Sequence, residues 1–132
     1  MIGLDTNLLV RYITQDDPVQ SPMAEDIIER QCSKDRPCFI NHIVLCELVW
    51  VLRRCYKAKK SEIVKVIEQI LKTEEFAVQE SDIVWLALND YKDGGADFAD
   101  YLIGRINTSK GCESTVTFDR TVLNMNAYKV LS

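Results

Sequence analysis

Apolar residues follow two alternating patterns along this chain. Short apolar runs, such as CFI at 38–40 and STVTF at 114–118, are typical of strands. Between them lie longer segments in which apolar residues recur every three or four positions, as in SEIVKVIEQILK at 61–72, and this spacing predicts amphipathic helices. Strands that alternate with helices imply parallel crossover connections, and therefore a central sheet with helices on both faces.

Capping and turn residues set the expected boundaries of these elements. Asn41 is a candidate N-cap for a long helix through Tyr56, and Ser81 is one for a helix to Asp90. The Gly94-Gly95 pair predicts a turn before the next helix. Further elements are expected as strands at 1–4, 76–79 and 128–130, as helices at 8–13, 22–31 and from 97 onward, and as a short helical segment after Asp119.

Composition narrows the class of protein. The chain has 132 residues, which suits one domain spanning 1–132, and its formal charge of -4 argues against a surface that binds nucleic acid everywhere. The five cysteines are odd in number and lack C-x-x-C spacing, which predicts reduced thiols in a cytoplasmic protein. The N-terminal MIGLDTNLL lacks the features of a signal peptide, and no apolar run is long enough to span a bilayer.

Two aspartates, Asp5 and Asp119, each follow a predicted strand directly. In an open α/β sheet, ligands bind at the carboxyl ends of the strands, so these carboxylates are expected at one edge. The alternative is that each side chain simply caps the helix that follows it.

Glu47 lies inside the apolar helical segment VLCELVWVL. Burial of an unpaired carboxylate is costly, so we expect Glu47 to be buried and either paired or bound to a metal. No basic residue lies one helical turn away, and the alternative is an ion-pair partner from elsewhere in the fold.

Asp97 and Asp100 share a helix face in GADFADYLIG. The helix dipole favours a negative charge at the helix N-terminus, which explains one carboxylate there. It explains less well why two carboxylates that repel each other lie at the same place. Since Asp100 lies deeper in the apolar pattern, we expect it to face inward and Asp97 to flank it.

Four acids from distant points of the chain would together form an oxygen-rich pocket that suits Mg²⁺ or Mn²⁺: Asp5, Glu47, Asp100 and Asp119. Such ions neutralise a phosphodiester and activate water, so the pattern favours phosphodiester hydrolysis. Thr6 and Thr117, beside two of these acids, are candidates to hydrogen-bond a carboxylate or a metal-bound water, or else are an ordinary turn and strand residue. His42 is expected to serve the start of its helix.

These residues, in this order, resemble the PIN-domain nucleases, and most closely the VapC-type toxins of bacterial and archaeal toxin–antitoxin pairs. The resemblance rests on Asp5-Thr6-Asn7 after a strand, Glu47 in a long apolar helix, Asp100-x-Leu102-Ile103 and Thr117-Phe118-Asp119, and it covers essentially the whole chain. It implies a three-layer α/β/α sandwich with a short central parallel sheet, Mg²⁺- or Mn²⁺-dependent ribonuclease activity, a homodimer, and an antitoxin whose C-terminal segment blocks the acidic pocket.

By this resemblance, the four acids bind the metal. Two departures stand out: the additional Asp97 leaves open which aspartate of the pair is the third ligand, and Gly104 to Asn107 are more polar than the alanine-rich helix usual at that point.

Basic residues are the candidates for contact with RNA phosphates. The alternative is an ordinary solvated helix end. They are Arg11, Arg53, Arg54, Lys57, Lys59, Lys60 and Arg105.

Three other functions fit the sequence less well than a nuclease. A phospho-accepting receiver domain requires paired acids after the first strand, and Asp5 stands alone. A haloacid-dehalogenase-type phosphatase requires an aspartate where Asn7 stands. A PIN-fold scaffold without activity would be expected to lack one of the four acids, and all four are present.

Overall fold

The computed structural model of the protein describes residues 1–131, which form two compact units. The first unit is Met1–Ser81, and the second begins at Asp82. In chain order the elements are α1 (Thr6–Thr14), α2 (Gln20–Gln31), β1 (Cys38–Ile40), α3 (His42–Arg54), α4 (Lys60–Lys72), β2 (Phe76–Val78), α5 (Ser81–Asp93), α6 (Phe98–Ser109), β3 (Thr115–Thr117), a 3-10 helix (Arg120–Val122) and β4 (Tyr128–Val130).

Strands β1 and β2 form a parallel pair in the first unit, with Phe39 opposite Ala77. The predicted strand at 1–4 is reduced to a single parallel bridge between Gly3 and Phe39. Its hydrogen bonds run from the Leu4 N–H to the Phe39 oxygen and from the Phe39 N–H to the Ile2 oxygen. This bridge fixes the chain immediately before Asp5.

Helix α3 begins as the sequence predicts. The Asn41 side chain accepts a hydrogen bond of 2.9 Å from the Val44 N–H, which confirms the N-cap. The His42 ring lies 2.7 Å from the Gln79 main-chain oxygen, and this contact confirms the expected role of His42 at the helix start. Leu45 and Leu48 on the inner face of the helix are fully buried.

The second unit pairs β3 with β4 in parallel, with Thr117 opposite Val130. Helices α5 and α6 meet through aromatic side chains, and the Tyr91 and Phe98 rings pack edge to face with centroids 5.8 Å apart. The predicted α/β class with parallel strands is confirmed, and the parallel pairs occur one in each unit.

The prediction of reduced cysteines is wrong for Cys32 and Cys38, which form a disulfide. The reason is a turn that the sequence pattern did not reveal: the Ser33 N–H bonds to the Arg36 oxygen, and the Arg36 N–H bonds to the Ser33 hydroxyl. This turn brings the end of α2 to the start of β1, with a Cα–Cα distance of 5.1 Å between the two cysteines. Cys46, Cys55 and Cys112 remain free thiols.

None of the helices within residues 1–131 has the length and apolar character needed to cross a membrane.

Candidate functional site

Asp5 stands at the first turn of α1 with its side chain exposed. It occupies the N-cap position but makes no capping hydrogen bond through its side chain. The alternative that Asp5 only caps a helix is therefore wrong, and its carboxylate is left available for another partner.

Glu47 is oriented by Thr6, the residue after Asp5. The Thr6 hydroxyl is buried in the first unit and donates a hydrogen bond of 2.9 Å to Oε1 of Glu47. This contact bears out the expectation that Thr6 hydrogen-bonds a carboxylate. It also holds one oxygen of Glu47 while the other stays open.

The prediction that Glu47 is buried is wrong, because its side chain is exposed. The face of α3 that carries it is open to solvent, with Ile43 71% and Trp50 58% exposed at the neighbouring positions of the same face. A continuous apolar sequence therefore did not mean burial on all sides. Because Glu47 is exposed, there is no free-energy cost of burying its charge, and the carboxylate does not need a partner for that reason.

Cys46 lies beside Glu47, and its burial, together with the negative charge of Glu47, raises the pKa of the Cys46 thiol to about 11. The thiol is therefore protonated near neutral pH. Because thiolates rather than thiols act as ligands and nucleophiles, Cys46 is a poor candidate for either role.

Asp97 and Asp100 lie at the N-terminus of α6, where Asp97 is exposed and Asp100 is half-buried, as expected. The Asp97 N–H donates a hydrogen bond of 3.2 Å to Oδ2 of Asp100, so the Asp100 carboxylate points back toward the start of the helix. Burial raises the pKa of Asp100, the Asp97 N–H opposes this shift, and the charges of Asp97 and Asp119 add to it. Asp100 is thus repelled by both of its acidic neighbours, and we refer to Asp97, Asp100 and Asp119 as the acidic group.

Asp119 follows β3 and is held by its neighbours on both sides. Its N–H donates to the Thr117 hydroxyl at 3.0 Å, while its carboxylate accepts bonds from the N–H and the hydroxyl of Thr121 at 2.9 and 2.7 Å. These bonds from Thr121 keep the pKa of Asp119 below its ordinary value. The alternative role that the sequence suggested for Asp119, a helix cap, is confirmed, because its side chain caps the 3-10 helix.

Tyr128 is a residue that the sequence analysis assigned only to a strand. Its hydroxyl donates a hydrogen bond of 2.7 Å to the main-chain oxygen of Asp100. Burial, together with the charges of Asp100 and Asp119, raises the pKa of Tyr128 to about 12, so the hydroxyl keeps its proton and remains a donor. Gly104 makes room for this contact, since a β-carbon there would lie 3.2 Å from the Tyr128 ring. The glycine that departs from the alanine-rich pattern therefore has a packing reason.

The chemistry of the acidic group fits a hard divalent cation. Its donors are carboxylate oxygens with hydroxyl groups beside them, which are ligands that Mg²⁺ and Mn²⁺ prefer. Among residues 1–131, no three side chains of the His, Cys, Asp and Glu types already stand close enough together to hold a metal ion. Since like charges repel until a cation neutralises them, metal binding would have to draw the carboxylates closer together.

The basic candidates differ in their availability. Arg11 is engaged within the first unit, where it donates to Gln20 at 2.9 Å and pairs with Asp16 at 3.3 Å. Arg54 is exposed and lies over the Trp50 ring, 5.9 Å from its centroid. Lys57 is also exposed. Arg53 is exposed but takes part in an interaction of its own, and Arg105 in the second unit forms a two-point ion pair with Asp90.

Comparison with known proteins gives two results. The family model described as the PIN domain matches residues 2–127. The chain is also similar to the "VapC ribonuclease" of Aquifex aeolicus (strain VF5), with 28% identity over 118 residues, which is 89% of this chain and 86% of the relative.

Proposed function

The chain belongs to the PIN-domain family, and we propose that it is a metal-dependent endoribonuclease that acts as the toxin of a type II toxin–antitoxin pair. The observation that carries this proposal is the acidic group, in which a half-buried Asp100 is repelled by the charges of Asp97 and Asp119. Such a group is stabilised by binding a divalent cation. The similarity to a relative named as a ribonuclease supports RNA as the substrate.

The proposed metal ligands are the four acids that the resemblance marks, Asp5, Glu47, Asp100 and Asp119, in a single nuclease domain over residues 1–132. Mg²⁺ or Mn²⁺ bound there would neutralise the scissile phosphate and lower the pKa of a bound water. Asp97 is proposed to support Asp100 rather than replace it, because Asp97 is the more exposed of the pair.

Neighbouring side chains hold three of these four acids. Thr6 fixes one oxygen of Glu47, which leaves the second oxygen to accept a proton or a ligand. Tyr128 holds the main chain at Asp100, and Thr117 holds the main chain at Asp119. These bonds restrict the movement of Glu47, Asp100 and Asp119 before a metal draws the carboxylates together.

RNA phosphates are proposed to contact the basic residues at the end of α3 and just after it. These residues are Arg53, Arg54 and Lys57. Arg11 is a weaker candidate, because its guanidinium already bonds Asp16 and Gln20. Neutralising an exposed phosphate contact weakens RNA binding and reduces its dependence on salt, and does so for all sequences alike.

A panel of purified variants tests the assignment of the acids. The rate of RNA cleavage is measured as a function of Mg²⁺ and Mn²⁺ concentration for Asp5→Asn, Glu47→Gln, Asp100→Asn and Asp119→Asn, with Asp97→Asn as the comparison. We expect each of the first four to lose at least about a hundredfold in rate, and Asp97→Asn to lose less. Full activity in any of the four removes that residue from the site.

Two Thr6 variants distinguish the effect of the hydrogen bond to Glu47 from the effect of the size of the Thr6 side chain. Thr6→Ser keeps the hydroxyl that bonds Glu47, whereas Thr6→Val keeps the shape but lacks the donor. The proposal expects Thr6→Ser to retain activity and Thr6→Val to lose it, with both variants folded by circular dichroism. Equal activity in the two variants would mean that Glu47 does not need this hydrogen bond.

The toxin role has its own test. We propose a cytoplasmic homodimer that is neutralised by an antitoxin protein. Induced expression of the chain in a bacterial host, with and without the adjacent reading frame, should arrest growth only when that frame is absent. Harmless expression of an enzyme that is active in vitro would contradict the toxin role while leaving the nuclease proposal intact.

A further inference from the structure

An open cleft of about 1250 Å³ lies in the second unit beside the acidic group. Its wall includes Thr121, whose N–H and hydroxyl hold Asp119, and Ala96, which directly precedes Asp97. The cleft is larger than the roughly 300–1000 Å³ of typical small-molecule pockets. It is therefore large enough to hold one nucleotide of a longer strand.

Arg105 gives the cleft a rigid planar surface. Its Nε and Nη2 donate to Oδ2 and Oδ1 of Asp90 at 2.7 and 2.9 Å, which fixes the orientation of the guanidinium. Unpaired RNA bases stack on arginine planes as they do on aromatic rings. The ion pair uses the edge formed by Nε and Nη2, so the flat face of the guanidinium is offered in one fixed orientation.

The side chains that line the cleft carry a net negative charge, which disfavours binding of a phosphate group. Three acidic side chains line it, Asp90, Asp93 and Glu113, against the single guanidinium of Arg105. A net negative wall repels a phosphate but attracts a ligand that presents amino groups. Carboxylates accept hydrogen bonds from the amino group of cytosine, for example.

Three asparagines on the wall supply groups that recognise base edges: Asn89, Asn124 and Asn126. All three are exposed, and within the described residues their side-chain amides make no hydrogen bond. A free amide bonds adenine at two points, through one donor and one acceptor. The amides therefore suit adenine, the carboxylates suit the amino group of cytosine, and the fixed guanidinium plane suits stacking of either base.

We propose that this cleft binds an unpaired adenine or cytosine of the RNA strand next to the scissile phosphate, stacked on Arg105 and recognised by the asparagine amides. The inference rests on the proposed function for its substrate. It adds a base subsite that sets the sequence preference of cleavage. Uracil lacks an amino group, so the cleft is expected to bind it more weakly.

Nucleoside binding tests the cleft without any cleavage. The full chain, in EDTA, is titrated with adenosine, cytidine or uridine, and binding is followed by NMR at the Asn89 and Asn124 side-chain amides and at Arg105 Nε. We expect adenosine or cytidine to bind at least about fivefold more tightly than uridine. Asn89→Ala should remove that preference, whereas Gln69→Ala, which deletes an exposed amide on α4, should leave it unchanged. Equal binding of uridine, or shifts confined to residues outside the cleft, would overturn the inference.

Sequencing of cleaved ends tests the same subsite during the reaction. Wild type should show enrichment of adenine or cytosine at one fixed position from the cut, and Asn89→Ala or Asn124→Ala should lose that enrichment while still cleaving RNA. Unchanged enrichment in both variants would overturn the inference but not the nuclease. Conversely, nucleoside binding in the cleft of a protein that cleaves no RNA would contradict the proposed function and leave the base site standing.

Discussion

The hydroxyl of Tyr128 donates a hydrogen bond of 2.7 Å to the main-chain oxygen of Asp100. Strand β4 therefore fixes the turn of α6 that carries the half-buried carboxylate of the acidic group. The contact is to the main chain, so it sets where Asp100 stands without competing for its carboxylate oxygens.

Tyr128→Phe removes this hydrogen bond and keeps the ring. We expect the free energy of unfolding to fall by about 0.5–1.5 kcal/mol, because the Asp100 oxygen loses its donor. The Mg²⁺ concentration needed for half-maximal cleavage should also rise several-fold, since the carboxylate is less well placed. Tyr12→Phe in α1 is the matched control, and equal behaviour of the two variants would mean that the Tyr128 bond positions nothing.

Asp100→Asn should stabilise the protein near neutral pH. The folded-state pKa of Asp100 is raised above its ordinary value of 3.8, so the folded protein holds this proton more tightly than the unfolded chain. Stability is therefore lost as the pH rises from 3.8 through the folded-state pKa. Asparagine carries no charge and still accepts the Asp97 N–H bond.

The effect comes first from the burial of the Asp100 carboxylate and then from the like charges of Asp97 and Asp119. Chemical denaturation of wild type and Asp100→Asn at several pH values measures the difference directly. The gain of the variant should be full at pH 7 and should shrink as the pH falls toward 3.8. A gain that grows on acidification would show that the sign of the pKa shift is wrong.

Gly94→Ala should destabilise the second unit, whereas Gly95→Ala should not. A β-carbon on Gly94 would overlap the Tyr101 hydroxyl, which accepts the Ala96 N–H bond at 3.2 Å, while nothing lies within 4 Å of a β-carbon on Gly95. Overpacking of this kind costs about 1–3 kcal/mol. Thermal melts of the two variants provide the comparison, and equal melting temperatures would contradict the close packing of Tyr101 against this turn.

Reduction of the Cys32–Cys38 disulfide should lower the free energy of unfolding by about 2 kcal/mol, the value expected for a short closed loop. The measurement compares urea denaturation with and without dithiothreitol in a background that carries Cys55→Ser and Cys112→Ser. Mass spectrometry of the oxidised protein should show that the peptides containing Cys32 and Cys38 are linked. Stability that is independent of reductant would argue that the link is absent from the folded protein in solution.

The sequence predicted best those features that local chemistry determines. The Asn41 cap, the His42 contact at the start of α3 and the strand at 128–130 all appear as expected, because capping groups and short apolar runs act over only a few residues. The relative exposure of Asp97 and Asp100 was also predictable, since it follows from their positions in an amphipathic helix.

Features that depend on contacts between distant elements were missed. The apolar segment around Glu47 indicated burial, but one face of α3 stays open to solvent, and only the packing of the helix decides which face that is. The disulfide depended on the turn at 33–36, and the role of Tyr128 depended on β4 lying beside α6. Neither spacing nor composition carries that information.

The measurement that tests the central claim most directly is cleavage of a mixed, structured RNA pool by the purified protein with Mg²⁺ or Mn²⁺, beside an EDTA control and the Asp5→Asn variant. Asp5 is the suitable probe because it is exposed and makes no capping bond, so its replacement leaves the fold intact. The account predicts cleavage that requires the metal and is lost in both controls. RNA cleavage that persists in EDTA or in Asp5→Asn, or its absence from the wild type with both metals, would contradict the assignment of this chain as a metal-dependent ribonuclease.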